Sequence, residues 1–176
     1  YCTYCLIAYI RGHFRSVPME EVVTHAKLLA EQGVKELILV AQDTTKYGKD
    51  LYGKPQLVEL LRQLSEVEGI RWIRLLYCYP ELMSDELINE IATNDKIVNY
   101  VDVPLQHVDD AILKRMNRKS NHASIVALFE KLKQKGISVR STFICGFPGE
   151  TDETLQTVAD FLTATKMRNV GFFAYS

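Results

Sequence analysis

Apolar residues recur along this chain in two alternating rhythms. Five short, nearly continuous apolar runs read as strands: Glu36 to Gln42, Trp72 to Cys78, Tyr100 to Leu105, Ser138 to Cys145 and Asn169 to Tyr175. Runs of that length, rich in Val, Ile, Leu and aromatics, are what a strand covered on both faces requires. Between them the apolar positions fall three and four apart, the spacing of a helix stripe. Pro18 to Gln32 places Val22, Ala26, Leu29 and Ala30 on one side, and Gly33 ends it. Pro55 to Val67 does the same with Leu57, Leu60, Leu61 and Leu64. Ser84 can cap a helix carrying Leu87, Ile88 and Ile91. A short helix is expected from Asp110 to Met116. Asn121 can cap the next, with Ile125, Leu128, Phe129 and Leu132 inward and Gly136 as its stop. Thr151 or Asp152 opens the last, with Leu155, Val158, Ala159 and Leu162 inward.

Strict alternation of strand and helix predicts βαβ units, a parallel sheet and the α/β class. The pattern alone leaves an open doubly wound sheet and a full or partial barrel equally possible. In each of them ligands gather at the carboxyl ends of the strands. Those ends are polar here: Gln42-Asp43-Thr44-Thr45, Tyr79-Pro80-Glu81, Gln106-His107, and Gly146-Phe147-Pro148-Gly149-Glu150. Polar groups gathered on one rim of an apolar scaffold are what a ligand site needs. Neither a P-loop nor a dinucleotide fingerprint is present. Arg140 sits inside a strand that otherwise reads as buried, so it needs an anionic partner or a route to water. An ion pair within the fold and a ligand carboxylate are both open.

Composition narrows the class. The chain has 176 residues, 47% of them apolar, and a net charge of −1, which fits one domain and gives no bulk electrostatic reason to expect nucleic acid as the main partner. No run is long enough for a membrane helix. The four cysteines, Cys2, Cys5, Cys78 and Cys145, follow the usage of a reducing compartment, so a cytoplasmic location is expected. Cys78 and Cys145 lie in apolar runs and are expected in the core. Cys2 and Cys5 form a C-x-x-C pair, which by itself is open to half a zinc site, a redox dithiol or part of an iron–sulfur site. A complete zinc site needs about four ligands, and no second pair is present. A thioredoxin-like protein would place the pair at a helix start after a strand, and the further βα repeats argue against it. His13, His25 and His122 are expected to be solvated, while His107 follows a strand end. Lys114, Arg115, Arg118 and Lys119 read as a solvated basic face.

Several segments together resemble the radical S-adenosylmethionine (SAM) methylthiotransferases. They are Cys2-x-x-Cys5 with Tyr4, Tyr9-Ile10-Arg11-Gly12, Gln42-Asp43-Thr44-Thr45, Tyr79-Pro80-Glu81, Pro104-Leu105-Gln106-His107 and Phe143 to Thr151. The cysteine pair is similar to the last two of the C-x-x-x-C-x-x-C signature, whose first cysteine would fall just ahead of this sequence. The Asp43 and His107 segments resemble the branch that modifies an aspartate at its β-carbon in a small-subunit ribosomal protein (protein S-twelve). The sister branch, which modifies an adenosine in tRNA, usually carries Gln-Asn-Val and Pro-Val-Gln-Ser-Gly at those two places. It is the alternative, and a non-catalytic metal-binding module is the alternative of another class.

The resemblance implies a partial (β/α) TIM-like barrel lacking its first strand, with residues 1–176 as a truncated radical SAM core. An N-terminal methylthiotransferase domain and a C-terminal TRAM domain would lie outside it, and the fragment alone is expected to be inactive. It also implies a 4Fe–4S cluster held by Cys2 and Cys5, a second cluster in the full-length enzyme, and bound SAM. Tyr4, Gln42, Asp43, Gln106, Arg140, Thr142, Ile144 and Gly146 are the implied cofactor-binding residues. Thr142 stands where the family's G-x-I-x-G-x-x-E pattern has its first glycine, and Glu150 comes one place late. The implied partners are the ribosomal protein and an electron donor such as flavodoxin or ferredoxin, with no membrane and no established direct contact with nucleic acid. With only two cysteines in the loop, the run from Tyr1 to about Arg15 is expected to stand mobile or displaced.

Overall fold

The computed structural model describes residues 2–176. Its five strands are β1 (Glu36–Leu39), β2 (Trp72–Leu75), β3 (Ile97–Asp102), β4 (Ser138–Cys145) and β5 (Asn169–Ala174). They form one sheet in the order β1-β2-β3-β4-β5, with every neighbouring pair parallel. A doubly wound sheet reverses its order at a switch point. Here each crossover steps to the next place in the same direction, as in a (β/α) barrel. The sheet is open, with β1 and β5 as its edges.

The connections hold α1 (Ile7–Arg11), α2 (Met19–Glu31), α3 (Lys49–Tyr52), α4 (Leu57–Ser65), α5 (Asp85–Thr93), α6 (Asp110–Arg115), α7 (His122–Gln134) and α8 (Asp152–Thr165). The anticipated caps are present. The Ser84 hydroxyl accepts from Leu87 N–H, and Asn121 with Ser124 and Thr151 with Thr154 each close a reciprocal capping box. Such caps satisfy amide groups that the first helical turn leaves unpaired. α1, α3 and the two 3₁₀ turns at Thr44–Lys46 and Pro80–Leu82 were not anticipated, because three to five residues are too few to register a period.

The helices bury one face of the sheet. Leu61, Leu64, Ile88, Ile91, Ile125 and Leu132 pack with Ile73, Leu75, Val101 and Phe143 in one continuous core. Leu29 and Leu155, read as inward, are both 40% exposed, and Phe161 instead anchors α8, 5.2 Å from the Phe129 ring centroid. The other face of the sheet is not covered, contrary to the strand reading. Ile38 and Trp72 are half exposed there. Polar groups cross it: Arg74 bonds Glu36 at 2.7 Å and lies over the Tyr100 ring, and Arg140 bonds Asp102 at 2.8 Å.

The carboxyl ends of the strands leave the regular ladder earlier than expected, at Leu39, Leu75 and Asp102, but keep their hydrogen bonds. Cys78 N–H reaches Asp102 O, Val103 N–H reaches Arg140 O and Gln106 N–H reaches Thr142 O. Tyr77 (φ 57°) and Gln106 (φ 73°) both take left-handed backbone at these ends. Non-glycine residues rarely adopt that conformation, and it clusters at functional sites.

Candidate metal centre

The cysteine loop is docked on the rim of the barrel, which corrects the expectation that it is displaced. Thr3 N–H donates to Met116 O at 3.2 Å, and its hydroxyl to Arg115 O at 3.0 Å. Cys5 N–H donates to Cys2 O and closes the turn between the two thiols. Beyond the loop, Leu6, Tyr9 and Ile10 are strongly exposed. Tyr1 lies outside the described residues.

Around the Cys2 sulfur three separate strand-end and helix-end segments converge. The Tyr79 hydroxyl, after β2, lies 3.4 Å from it. Arg118, after α6, has Nη1 at 3.9 Å from it, and its Nη2 donates to Pro104 O, after β3, at 2.6 Å. The guanidinium stacks 4.4 Å from the Tyr79 ring centroid. Burial pushes the Cys2 thiol up, but the Tyr79 and Tyr4 hydroxyls and the Arg118 charge outweigh it and hold the thiol below its ordinary value. That favours the thiolate, the form that binds metal. Burial also raises Glu81, yet its own backbone amide, the Arg118 charge and the Ser120 donors together lower it, so this neighbour is a carboxylate.

Arg118 was read as part of a solvated basic face, and that reading is wrong for it. Lys114, Arg115 and Lys119 are exposed, but Arg118 is 6% exposed. Asn117 before it takes left-handed backbone (φ 57°) as the chain leaves α6. No local signal distinguishes this arginine from its neighbours.

Several anticipated cofactor residues are brought together beside the loop. Tyr4 and Ile144 pack on Ile112, Met116 and Phe147, with the Tyr4 ring edge-on to Phe147 at 6.2 Å. Gln106 is locked between Thr142 O, which it reaches through its N–H, and Ile144 N–H, which it accepts. Gly146 (φ 82°) turns the chain out of β4, and its N–H donates to Glu150 Oε1 at 2.9 Å. Glu150 therefore holds this loop in shape despite its displaced position in the motif. His107 is fully buried beneath it, with Nε2 3.4 Å from Glu150 Oε2.

Other anticipated residues lie apart. Gln42 is exposed beyond β1. Asp43 uses its carboxylate on its own turn, accepting from Thr45 N–H and the Thr45 hydroxyl and pairing with Lys46 at 2.9 Å. Arg140 was expected to aim its guanidinium at the ligand rim. It sits third in the eight-residue β4 and is paired to Asp102, about 16 Å below the end of that strand at ~3.3 Å per residue. Cys78 is core as expected, and burial pushes its thiol up to about 12. Cys145 is only partly buried. His122 is half-buried rather than free in solvent: its Nδ1 meets Val108 O at 3.1 Å, and its ring packs on Phe161. A cleft of about 810 Å³ runs between α7 and α8 and touches none of the cysteine-loop residues.

Among the described residues no group of three His, Cys, Asp or Glu side chains stands ready for a metal ion. Cys2 and Cys5 supply two soft thiols, that of Cys2 beside the Arg118 charge. That donor type suits an iron–sulfur cluster.

Comparison with known proteins agrees with this geometry. "Ribosomal protein uS12 methylthiotransferase RimO" of Clostridium botulinum is 54% identical over the whole chain, and that of Clostridium tetani is 50% identical. The chain spans about 40% of the length of these relatives. Among solved structures, SuiB of Streptococcus suis bound to S-adenosylmethionine superposes with a TM-score of 0.68 at 15% identity, covering 100% of this chain and 36% of that one. Coproporphyrinogen III oxidase (HemN) of Escherichia coli does so with a TM-score of 0.71 at 19% identity, covering 90% and 36%. At such identities the likeness speaks for the fold, a TIM-like barrel of which this sheet is a part. The family model described as the radical SAM superfamily matches residues 1–162, and with a cysteine loop seated at the strand ends of a sequentially ordered parallel sheet, this chain belongs to that superfamily.

Proposed function

We propose that this chain is the radical SAM core of a methylthiotransferase that adds a methylthio group to the β-carbon of an aspartate in ribosomal protein uS12. The observation that carries this is 54% identity along the whole chain to a relative bearing that name. The relatives are much longer, so the reading extends to domains outside this chain: an N-terminal domain with a second cluster and a C-terminal TRAM domain. The enzyme works in the cytoplasm and draws electrons from a flavodoxin or ferredoxin.

Cys2 and Cys5 hold the 4Fe–4S cluster. Together with SAM, a reduced cluster supplies a deoxyadenosyl radical that can abstract a carbon-bound hydrogen. Tyr4, Ile144 and Phe147 form the apolar wall beside the cysteine loop, suited to the flat face of adenine. Gln106, fixed in left-handed backbone, and Thr142 offer polar groups to the ribose, and Gly146 lets the backbone come close. Gln42 borders the rim from β1, and Asp43 shapes the turn behind it. Arg140 stiffens the sheet through Asp102 and is withdrawn from the methionine carboxylate.

The test uses full-length protein, reconstituted anaerobically with iron and sulfide and supplied with SAM and a reductant. Ribosomal protein uS12 and tRNA are offered in parallel, and mass spectrometry follows each. A methylthio mass gain on the aspartate of the protein is expected, with loss of the product in Cys2→Ser and Cys5→Ser. Modification of tRNA alone would transfer the chain to the sister activity.

A further inference from the structure

The stretch of chain on which the cysteine loop rests also carries a run of positive charge. Thr3 bonds the carbonyls of Arg115 and Met116, and Lys114, Arg115 and Lys119 on the same stretch stand exposed. From Ala111 to Phe129 the sequence holds no acid, although the chain as a whole is close to neutral. None of the ion pairs among the described residues includes these three. The neighbouring acids hold backbone instead. Asp109 accepts the Ala111 and Ile112 amides, Asp110 the His122 amide, Glu81 the Ser120 amide and Glu150 the Gly146 amide. An exposed patch of one sign attracts and orients a partner of the other.

We propose that the exposed edge of α6 and the turn after it, formed by Lys114, Arg115 and Lys119, docks an acidic one-electron carrier protein that reduces the cluster. This rests on the reading that Cys2 and Cys5 hold the cluster and that a flavodoxin or ferredoxin supplies its electrons. Electron transfer weakens steeply with distance, so the carrier has to dock against the cysteine loop. The stretch that Thr3 bonds is such a place. On docking, the carrier loses one electron and the cluster gains one, and no bond forms or breaks. Contacts of this kind are small and weak, and charge sets their approach and orientation. An RNA partner would meet the same charges, but it gives no reason for them to lie against the redox centre.

The experiment uses the full-length protein with its cluster reconstituted, and a bacterial flavodoxin as the carrier. Wild type is compared with Lys114→Glu/Lys119→Glu and with Lys114→Gln/Lys119→Gln. Lys133→Glu/Lys135→Glu, at the C-terminal end of α7, is the control of equal charge change. Arg115 is left intact because it also reaches Pro148 O. Flavodoxin affinity is measured by biolayer interferometry at about 0.05 and about 0.5 M salt. Deoxyadenosine formation from SAM is followed with either reduced flavodoxin or dithionite. At low salt the glutamate variant should bind flavodoxin about tenfold more weakly and the glutamine variant about threefold. High salt should remove most of the difference. Turnover of both variants should fall with flavodoxin and keep its wild-type rate with dithionite, and the control should match wild type throughout. If the glutamate variant misfolds by circular dichroism, the glutamine variant decides. Equal affinities, or an equal loss in the control, overturn the proposal. So does a loss of turnover with both reductants at unchanged flavodoxin affinity, which would assign the charges to the ribosomal substrate, RNA included. A wild-type protein that binds no cluster would overturn the ligand reading, and the proposal with it, so the two failures are distinct.

Discussion

Arg140 and Asp102 are register partners on β4 and β3, joined by a 2.8 Å bond from Nη1 to Oδ1. The two are unequally placed. The Asp102 side chain is 2% exposed and also accepts the Tyr77 N–H, whereas that of Arg140 is 45% exposed. Water can replace what Arg140 loses if the pair is broken, but not what Asp102 loses.

Replacing Arg140 with alanine should therefore cost stability. A fully buried pair broken on one side loses about 3–5 kcal/mol, and the exposure of this guanidinium reduces that to about 1–2 kcal/mol. Urea unfolding of the full-length protein would measure it. SAM affinity, by calorimetry, should stay within about threefold, since a tenfold change needs ~1.4 kcal/mol and the residue lies well below the cysteine loop. A large loss of affinity at unchanged stability would return Arg140 to the ligand.

His107 predicts a pH dependence. Its Nδ1 accepts the Asp109 N–H at 3.0 Å, which leaves its proton on Nε2 facing Glu150. Burial lowers its pKa below the ordinary 6.5, only partly opposed by Glu150 and Asp109. As pH falls below about 6.5 the unfolded chain takes up this proton and the folded chain does not, so stability falls with it. The contribution is complete above that value and is lost as pH drops toward the folded pKa. Denaturation midpoints between about pH 7.5 and 5.5 should decline, and His107→Gln should flatten that slope. An unchanged slope would mean that His107 is not held neutral.

Gly149 should not accept a side chain. Its φ is 91°, and an added Cβ would run into the Arg115 guanidinium, which also reaches Pro148 O. Gly149→Ala should cost about 1–3 kcal/mol, mainly from backbone strain, because Arg115 is exposed and its guanidinium can swing aside. Arg115→Ala in the same chain should then add nearly independently, with a coupling below ~0.5 kcal/mol in a double-mutant cycle. A larger coupling would mean that the guanidinium is held in place.

Asn121 starts α7 through a reciprocal box with Ser124. Asn121→Ala should destabilise by about 1 kcal/mol, seen as a lower thermal midpoint. Asn121→Asp should be close to neutral, because aspartate caps equally well.

What could be read along the chain and what could not divide by the range of the interactions. Ser84, Asn121 and Thr151 were legible as helix starts because a cap acts on an amide three residues away. β4 was legible end to end, and Cys2 and Cys5 were legible as a pair within four residues, though the pair by itself left zinc, redox and iron–sulfur chemistry open. The order of the strands, the bare inner face of the sheet and the partners of its charged residues were not. Arg118 meets Cys2 across 116 positions and Pro104 across 14, and Arg140 meets Asp102 across 38. A local pattern reports whether a residue is charged and which helix or strand it belongs to. Whether that charge is solvated, as in Lys114 and Lys119, or buried against a sulfur, as in Arg118, depends on which distant loops the closed crossovers bring to the same rim. That is settled only when the whole sheet has formed.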